Sequence, residues 1–259
     1  MKNTLLFAKR NAIETLRDPL LYVFCIGFPA IMLILFQVIN ANSGGATPVF
    51  EIKSLVPGII VFSFTFVTLT QTLLVSKDKT SAFLIRLYTS PLKTYNFVLG
   101  YAIPSIIIGI LQQVVCLLFG YITALIVKVE YFSLLSVLAL MLANMPILIT
   151  CVFIGIAIGS LLNDKSAPAI VSILISAAGV LGGAWMPLDT MVGFENFCRF
   201  LPFYPSVYIG RIITGATHSF GEIYSFDIVA KLGLIPIAVF LIISVVGAIF
   251  AFKIKSKSR

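Results

Sequence analysis

What most constrains this chain is the length of its uninterrupted apolar runs. Residues 20–39, 57–75, 97–127, 134–162, 168–185 and 232–252 each approach or exceed the ~20 apolar residues that a helix needs to cross a bilayer core. Inside hydrocarbon every backbone N–H and C=O must be paired within its own segment, so runs of this kind fold as helices rather than open strands. With 59% hydrophobic residues and a mean hydropathy of +1.09, the chain has more apolar surface than a water-soluble core of this size can hide. The expected fold is an all-α polytopic membrane protein: six transmembrane helices in one domain, residues 1–259.

The polar intervals carry the remaining organisation. Residues 1–18 place Leu5, Leu6, Ala12, Ile13 and Leu16 along one helical side, with Lys2, Lys9, Arg10, Glu14 and Arg17 mostly away from it. That pattern predicts an amphipathic helix lying at the membrane interface, ended by Asp18-Pro19. Residues 76–96, SKDKTSAFLIRLYTSPLKTYN, set Lys77, Lys79, Arg86 and Lys93 against one acid, Asp78, in a chain where only 11% of residues are charged. This interval is too short for a domain and too charged for lipid, so it is either a tether or a surface that a soluble partner grips. Residues 97–127 exceed a perpendicular span, which predicts a tilt, a kink at Pro104 or an extension past the bilayer face, and residues 134–162 are also long. Residues 186–228, rich in aromatics and holding Pro187, Pro202 and Pro205, are too polar for a span and too apolar for a free loop. They read as short re-entrant helices dipping into the outer leaflet.

Thirteen of the 18 Lys and Arg fall in the two termini, the interval 76–96 and the link at Asn163-Asp164-Lys165. Six spans and the positive-inside rule therefore put both termini and the interval 76–96 in the cytosol. The basic residues flank apolar runs and form no continuous face, which argues against a nucleic-acid partner. Cys25, Cys116, Cys151 and Cys198 show no CxxC spacing and no neighbouring histidine, so neither a disulfide framework nor a metal site is expected. No A-x-A-like site follows the first apolar run, and no cleaved signal peptide is expected.

The sequence also narrows the chemistry. No GxxxxGK[ST] occurs, so the chain has no P-loop with which to cradle a nucleotide. All ten carboxylates lie near predicted span ends or in loops, which argues against an ion-coupled carrier that must read its ion at mid-depth. His218 is the one histidine, and no HExxH or paired intramembrane aspartates suggest a protease. No catalytic residue is expected, leaving a passive pore or a pathway driven by another subunit's energy. The second run reads FSFTFVTLTQT, and its hydroxyls either bond backbone and neighbouring helices or face a substrate. Gly155-x-x-x-Gly159 and Gly179-x-x-x-Gly183 permit close helix approach, within one chain or between two.

Three stretches resemble the permease subunit of a type-2 ABC exporter, in its drug- or lipid-export-like branch. Arg17-Asp18-Pro19, with Pro29 and Phe36 following, resembles the start of that family's first span. Arg86-Leu87-Tyr88-Thr89-Ser90-Pro91-Leu92, followed by Gly100 and Tyr101, resembles the R-L-x-x-[ST]-P-[LV] core of its cytosolic loop. Leu201-Pro202 through Arg211 to Gly215 resembles the L-P…R…G run of its outer segment. The acidic cluster common before the R-L core is mostly missing, replaced by Lys77-Asp78-Lys79 and Ala82-Phe83-Leu84-Ile85.

The resemblance implies a pair of permease chains, as homodimer or heterodimer, in the lipid of a prokaryotic plasma membrane. It implies ABC ATPase subunits below them, which would carry ATP and magnesium. Ser81, Phe83, Leu84, Arg86, Leu87, Ser90 and Pro91 would form a cytosolic coupling helix and its flank, seated in an ATPase groove. Phe62, Phe64, Thr65, Phe66, Thr68, Gln71 and Thr72, with Gln112 and Gln113, would line the path of an amphipathic, uncharged cargo. Gly155, Gly159, Gly179 and Gly183 would serve helix packing or the dimer seam, and Met186, Pro187 and Leu188 an outer gate. Export of a lipid-linked glycan or envelope polymer shares this architecture. An ATP-independent channel would need no partner at all.

Overall fold

The computed structural model describes residues 2–44, 47–80 and 94–257, with side chains over 4–44, 47–79 and 95–254. Among these the chain is helical, and its nearest approach to a sheet is one isolated bridge, Thr217 to Ile223. The order is α1 (Lys2–Leu16), α2 (Pro19–Asn42), α3 (Ile52–Thr80), α4 (Thr94–Val127), α5 (Leu134–Ala143), α6 (Met145–Leu161), α7 (Ala167–Leu181), α8 (Val192–Cys198), α9 (Phe203–Thr214) and α10 (Ile228–Lys257). The hinge between α1 and α2 takes two residues. Asp18 accepts the Leu20 N–H at 3.0 Å, and Pro19 fills the first turn, where its missing N–H costs nothing.

Five helical stretches among the described residues are long and apolar enough to cross a membrane: Pro19–Asn42, Ile52–Lys79, Tyr95–Val127, Leu134–Leu161 and Ile228–Ile254. The sequence predicts six. The run at 168–185 forms α7, whose 15 residues reach about 22 Å at about 1.5 Å per residue, short of a ~30 Å core. Gly182 caps it, and Gly183, at φ +62°, turns the chain away in a conformation that side chains with a Cβ resist. The long run at 134–162 is divided at Asn144, which ends α5, while Pro146 starts α6 without a missing hydrogen bond.

Helix α3 is the axis of the molecule, packed against α4, α6, α7 and α9. Of its most apolar stretch 89% is buried, against 22% for α10, whose Ile235, Ile242, Val246 and Phe250 face outward. The α3–α6 seam depends on two glycines. A Cβ at Gly155 would lie 2.8 Å from the Thr68 carbonyl oxygen, and one at Gly159 2.7 Å from that of Thr72, so the backbones leave room only for hydrogen. Across the seam the Thr68 and Thr72 hydroxyls donate to the carbonyls of Cys151 (2.9 Å) and Gly155 (3.1 Å). Such bonds average only about 0.6 kcal/mol in a membrane protein, so close packing contributes more to the seam than they do. Residues 186–228 form a 3₁₀ turn at Leu188–Thr190, then α8, α9 and the bridged loop. Helix α9 runs back against α3, with Gly210 meeting Pro57 and Leu140.

Candidate coupling site

The last turn of α3 holds Lys77, Asp78 and Lys79, at the start of the interval 76–96 expected to meet a partner. Asp78 is 2% exposed and fully engaged. The Arg10 guanidinium of α1 donates to it through both terminal nitrogens, at 2.5 and 2.8 Å, and the Tyr101 hydroxyl of α4 donates at 2.7 Å. Arg10 also pairs with Glu14 one turn along α1. A bidentate guanidinium–carboxylate pair fixes orientation as well as distance, so α1 cannot rotate freely on α3. Asn11, fully buried, donates to the Gly100 carbonyl at 3.1 Å, and Phe7 packs edge-on against Tyr101 with ring centres 4.9 Å apart. No Cβ fits at Gly100 beside Phe7, which is why α1 lies so close to α4.

Lys79 ties down a third helix. Its ammonium donates to the carbonyls of Leu161 (3.1 Å) and Leu162 (3.0 Å), the open acceptors at the end of α6 where the helix dipole is negative. The stem of the interval is thus bolted to α1, α4 and α6 together. The sequence signal for this site is weak: Asp78 is the one acid of a basic interval, and its partners lie far away along the chain. Ser81, Phe83, Leu84, Arg86, Leu87, Ser90 and Pro91 lie outside the described residues.

The residues predicted to line a substrate path divide into two groups. Phe62 and Phe66 belong to an aromatic ladder between α2 and α3. Phe66 meets Phe24 and Phe28 at 5.4 and 4.8 Å, Phe62 meets Trp185 at 4.7 Å, and Trp185 stacks on Phe36 at 5.8 Å. Phe24, Phe28, Phe36 and Trp185 keep part of their surface open. The others, Phe64, Thr65, Thr68, Gln71, Thr72, Gln112 and Gln113, are 2% exposed or less, so in this conformation they sit between helices and line no open passage. Thr65 bonds back to the Phe62 carbonyl, Gln112 donates to that of Ser63, and Ser105 donates to Gln71. The cause is the packing of this stretch of α3 against α4, α6, α7 and α9.

The glycines and the expected outer gate also meet partners of their own chain. Gly155 and Gly159 face α3, and Gly179 faces Phe62 and Trp185. Leu188 is buried in a cluster with Cys198, Tyr204, Tyr208 and Tyr224, against which Met186 packs; Pro187 is half-buried. Beside this cluster Arg211, 1% exposed, donates to the carbonyls of Gly183 (2.7 Å) and Ser54 (3.3 Å) and to the Tyr224 hydroxyl (3.4 Å). His218 stacks on Tyr224 at 3.6 Å and faces Asp189, Nδ1 to carboxylate, at 3.5 Å. Asp189 further accepts the N–H and hydroxyl of Ser219, at 2.6 and 2.9 Å. Burial pushes the Asp189 carboxyl up, but His218 and the two Ser219 donors outweigh it and bring its pKa down to about 2. Burial, then the adjoining Glu195 carboxylate, push the Tyr204 phenol well above its usual range.

A family model described as ABC-2 type transporter matches residues 2–214, from the start of α1 to the last residue of α9. No curated protein matches the chain.

Proposed function

The chain belongs to the ABC-2 type transporter family, as the membrane permease that works with an ABC ATPase, and from that premise we propose that it exports an amphipathic, drug-like or lipid-like substrate. The observation that carries the mechanism is the anchorage of Asp78 and Lys79 to three other helices at the stem of residues 81–93. In this reading both termini and that stem are cytosolic, in a prokaryotic plasma membrane, and α7 completes six spans as a short one. Two such chains pair, and two ATPase subunits carrying ATP and magnesium bind below them. Closure of the ATPases pushes on Phe83, Leu84 and Leu87, and the bolted stem passes the push to α1, α4 and α6 as one displacement. The aromatic ladder supplies the cargo surface, because Phe24, Phe28, Phe36 and Trp185 combine apolar area with partial exposure, the buried Phe62 and Phe66 back them, and none carries a charge that would demand a charged ligand.

The test uses the permease co-purified with its ATPase in proteoliposomes. Leu87→Asp is expected to leave membrane insertion intact and to abolish substrate-stimulated ATP hydrolysis, while Phe62→Ala weakens stimulation by apolar substrates. Flux that persists without ATP or without any nucleotide-binding subunit sinks the reading.

A further inference from the structure

Between the last turns of α1 and the last turns of α3 lies a cleft of about 630 Å³ that the coupling mechanism does not use. It falls within the ~300–1,000 Å³ typical of ligand clefts. Its α3 wall is Thr70, Leu73, Leu74 and Lys77, residues that share one helical face, and its other wall runs from Arg10 and Ile13 of α1 to Arg17 and Asp18 of the hinge. Ile13, Leu73 and Leu74 make the walls apolar, and the Thr70 hydroxyl at the floor is already spent on the Val67 carbonyl at 3.1 Å. Charge comes from Lys77, about 10 Å along the axis from Thr70 at ~1.5 Å per residue, and from Arg10, Glu14, Arg17 and Asp18 on the facing wall.

The carboxylates lining the cleft are both engaged: Glu14 pairs with Arg10, and Asp18 caps the Leu20 N–H. Arg17 is exposed and makes no side-chain hydrogen bond among the described residues, and Lys77 adds positive charge from the other wall. A phosphate suits the guanidinium fork, and the apolar wall below it suits the first methylenes of an acyl chain. A soluble phosphate would leave that wall bare. We infer that the α1–α3 cleft binds an anionic phospholipid of the leaflet on which α1 lies, its phosphate on Arg17 and Lys77 and one acyl chain along Ile13, Leu73 and Leu74. The lipid then staples α1 to α3 beside the Arg10–Asp78 pair. This site does not depend on the direction of transport or on ATP.

The test uses the purified full chain in phosphatidylcholine vesicles, doped with a phosphatidylglycerol or a phosphatidylcholine carrying a photoreactive acyl chain. The phosphatidylglycerol probe is expected to label peptides containing Ile13 and Leu73–Leu74 preferentially, and Arg17→Glu to reduce that labelling about tenfold, the equivalent of ~1.4 kcal/mol. Arg17→Lys keeps most of it. Leu73→Trp, which fills the cleft from the other wall, gives the same loss as Arg17→Glu in a chain whose helicity and monodispersity are checked first. Equal labelling by the phosphatidylcholine probe, undiminished labelling of Arg17→Glu, or labelling that survives Leu73→Trp overturns the site. Displacement of the probe by excess inorganic phosphate also overturns it, since the ligand is then the soluble ion. Because no ATPase is present, failure here leaves the export proposal standing.

Discussion

A buried charge lies at each end of α3, Asp78 on the helix itself and Arg211 reaching in from α9, and the partners that satisfy these two differ. Near its carboxyl end Asp78 is met by a counter-charge, Arg10, and by the Tyr101 hydroxyl. Near its amino end, about 36 Å away by helical rise, Arg211 is met by the carbonyls of Ser54 and Gly183 and by the hydroxyl of Tyr224. A carbonyl cradle is as rigid as the backbone that forms it. A pair of side chains on two helices opens when either helix shifts, at a cost that solvent and salt reduce. At the amino end Arg211 is held by backbone carbonyls and a hydroxyl alone, whereas at the carboxyl end a side-chain pair that salt weakens stands beside the carbonyl-held Lys79.

The largest effect is expected where the charge has no mobile partner. Arg211→Met keeps most of the volume but orphans two buried carbonyls, at about 1–3 kcal/mol for each group left unsatisfied. Thermal unfolding of the purified chain should therefore show Arg211→Met to be less stable than either Asp78→Asn or Asp189→Asn. Arg211→Lys should recover little, because one ammonium cannot reproduce a planar fork reaching three acceptors on three segments. Full stability of Arg211→Lys would break the contrast between the two ends.

At the Asp78 end the expected loss is smaller but reversible by charge. Arg10 retains a 34% exposed side chain, so water softens the penalty when its partner is removed. Asp78→Asn should cost roughly 1–3 kcal/mol, toward the low end at high salt. In a double-mutant cycle, Arg10→Asp combined with Asp78→Arg should regain part of what each single change loses. No exchange of that kind exists for Arg211, whose acceptors belong mainly to the main chain. In the ATPase complex Asp78→Asn should also uncouple hydrolysis from substrate, whereas Arg211→Met lowers stability and activity together.

How far this contrast is legible in the sequence depends on separation along the chain. Apolar run length predicts the five span-length helices, and Gly215, at φ +67° after α9, fits the run from Leu201 through Arg211. It does not predict that α7 stops at Leu181, because the turn at Gly182-Gly183 sits inside an apolar stretch with no polar signal. The hydroxyls of α3 mislead for a related reason. Periodicity says which residues share a face of a helix, but not whether a neighbour covers that face, and here neighbours cover Thr65, Thr68 and Thr72. Arg10 and Asp78 are 68 positions apart, and no local pattern pairs them. Asp78 stands out only as an acid among lysines, a cue that gains meaning once α1 is folded against α3.

The smallest effect separates the ends by acid. In the fold the Asp189 pKa lies at about 2, below the ordinary value near 3.8, because His218 and the two Ser219 donors stabilise the charged form against the cost of burial. A carboxyl depressed in the folded state adds stability that is fully present above about pH 4 and is lost as pH falls through about 2. The cap around Leu188 should therefore hold through mild acid and loosen below that window. Asp189→Asn removes the titration, so the difference in unfolding temperature between it and the parent chain should shrink as pH falls from about 4 to about 2. A constant difference over that range would mean that Asp189 acts through packing alone. The loop from His218 to Tyr224 would then be held by the stacking of His218 on Tyr224, which places the ring of Tyr224 beside Arg211, and the rigid end of α3 would owe nothing to charge pairing.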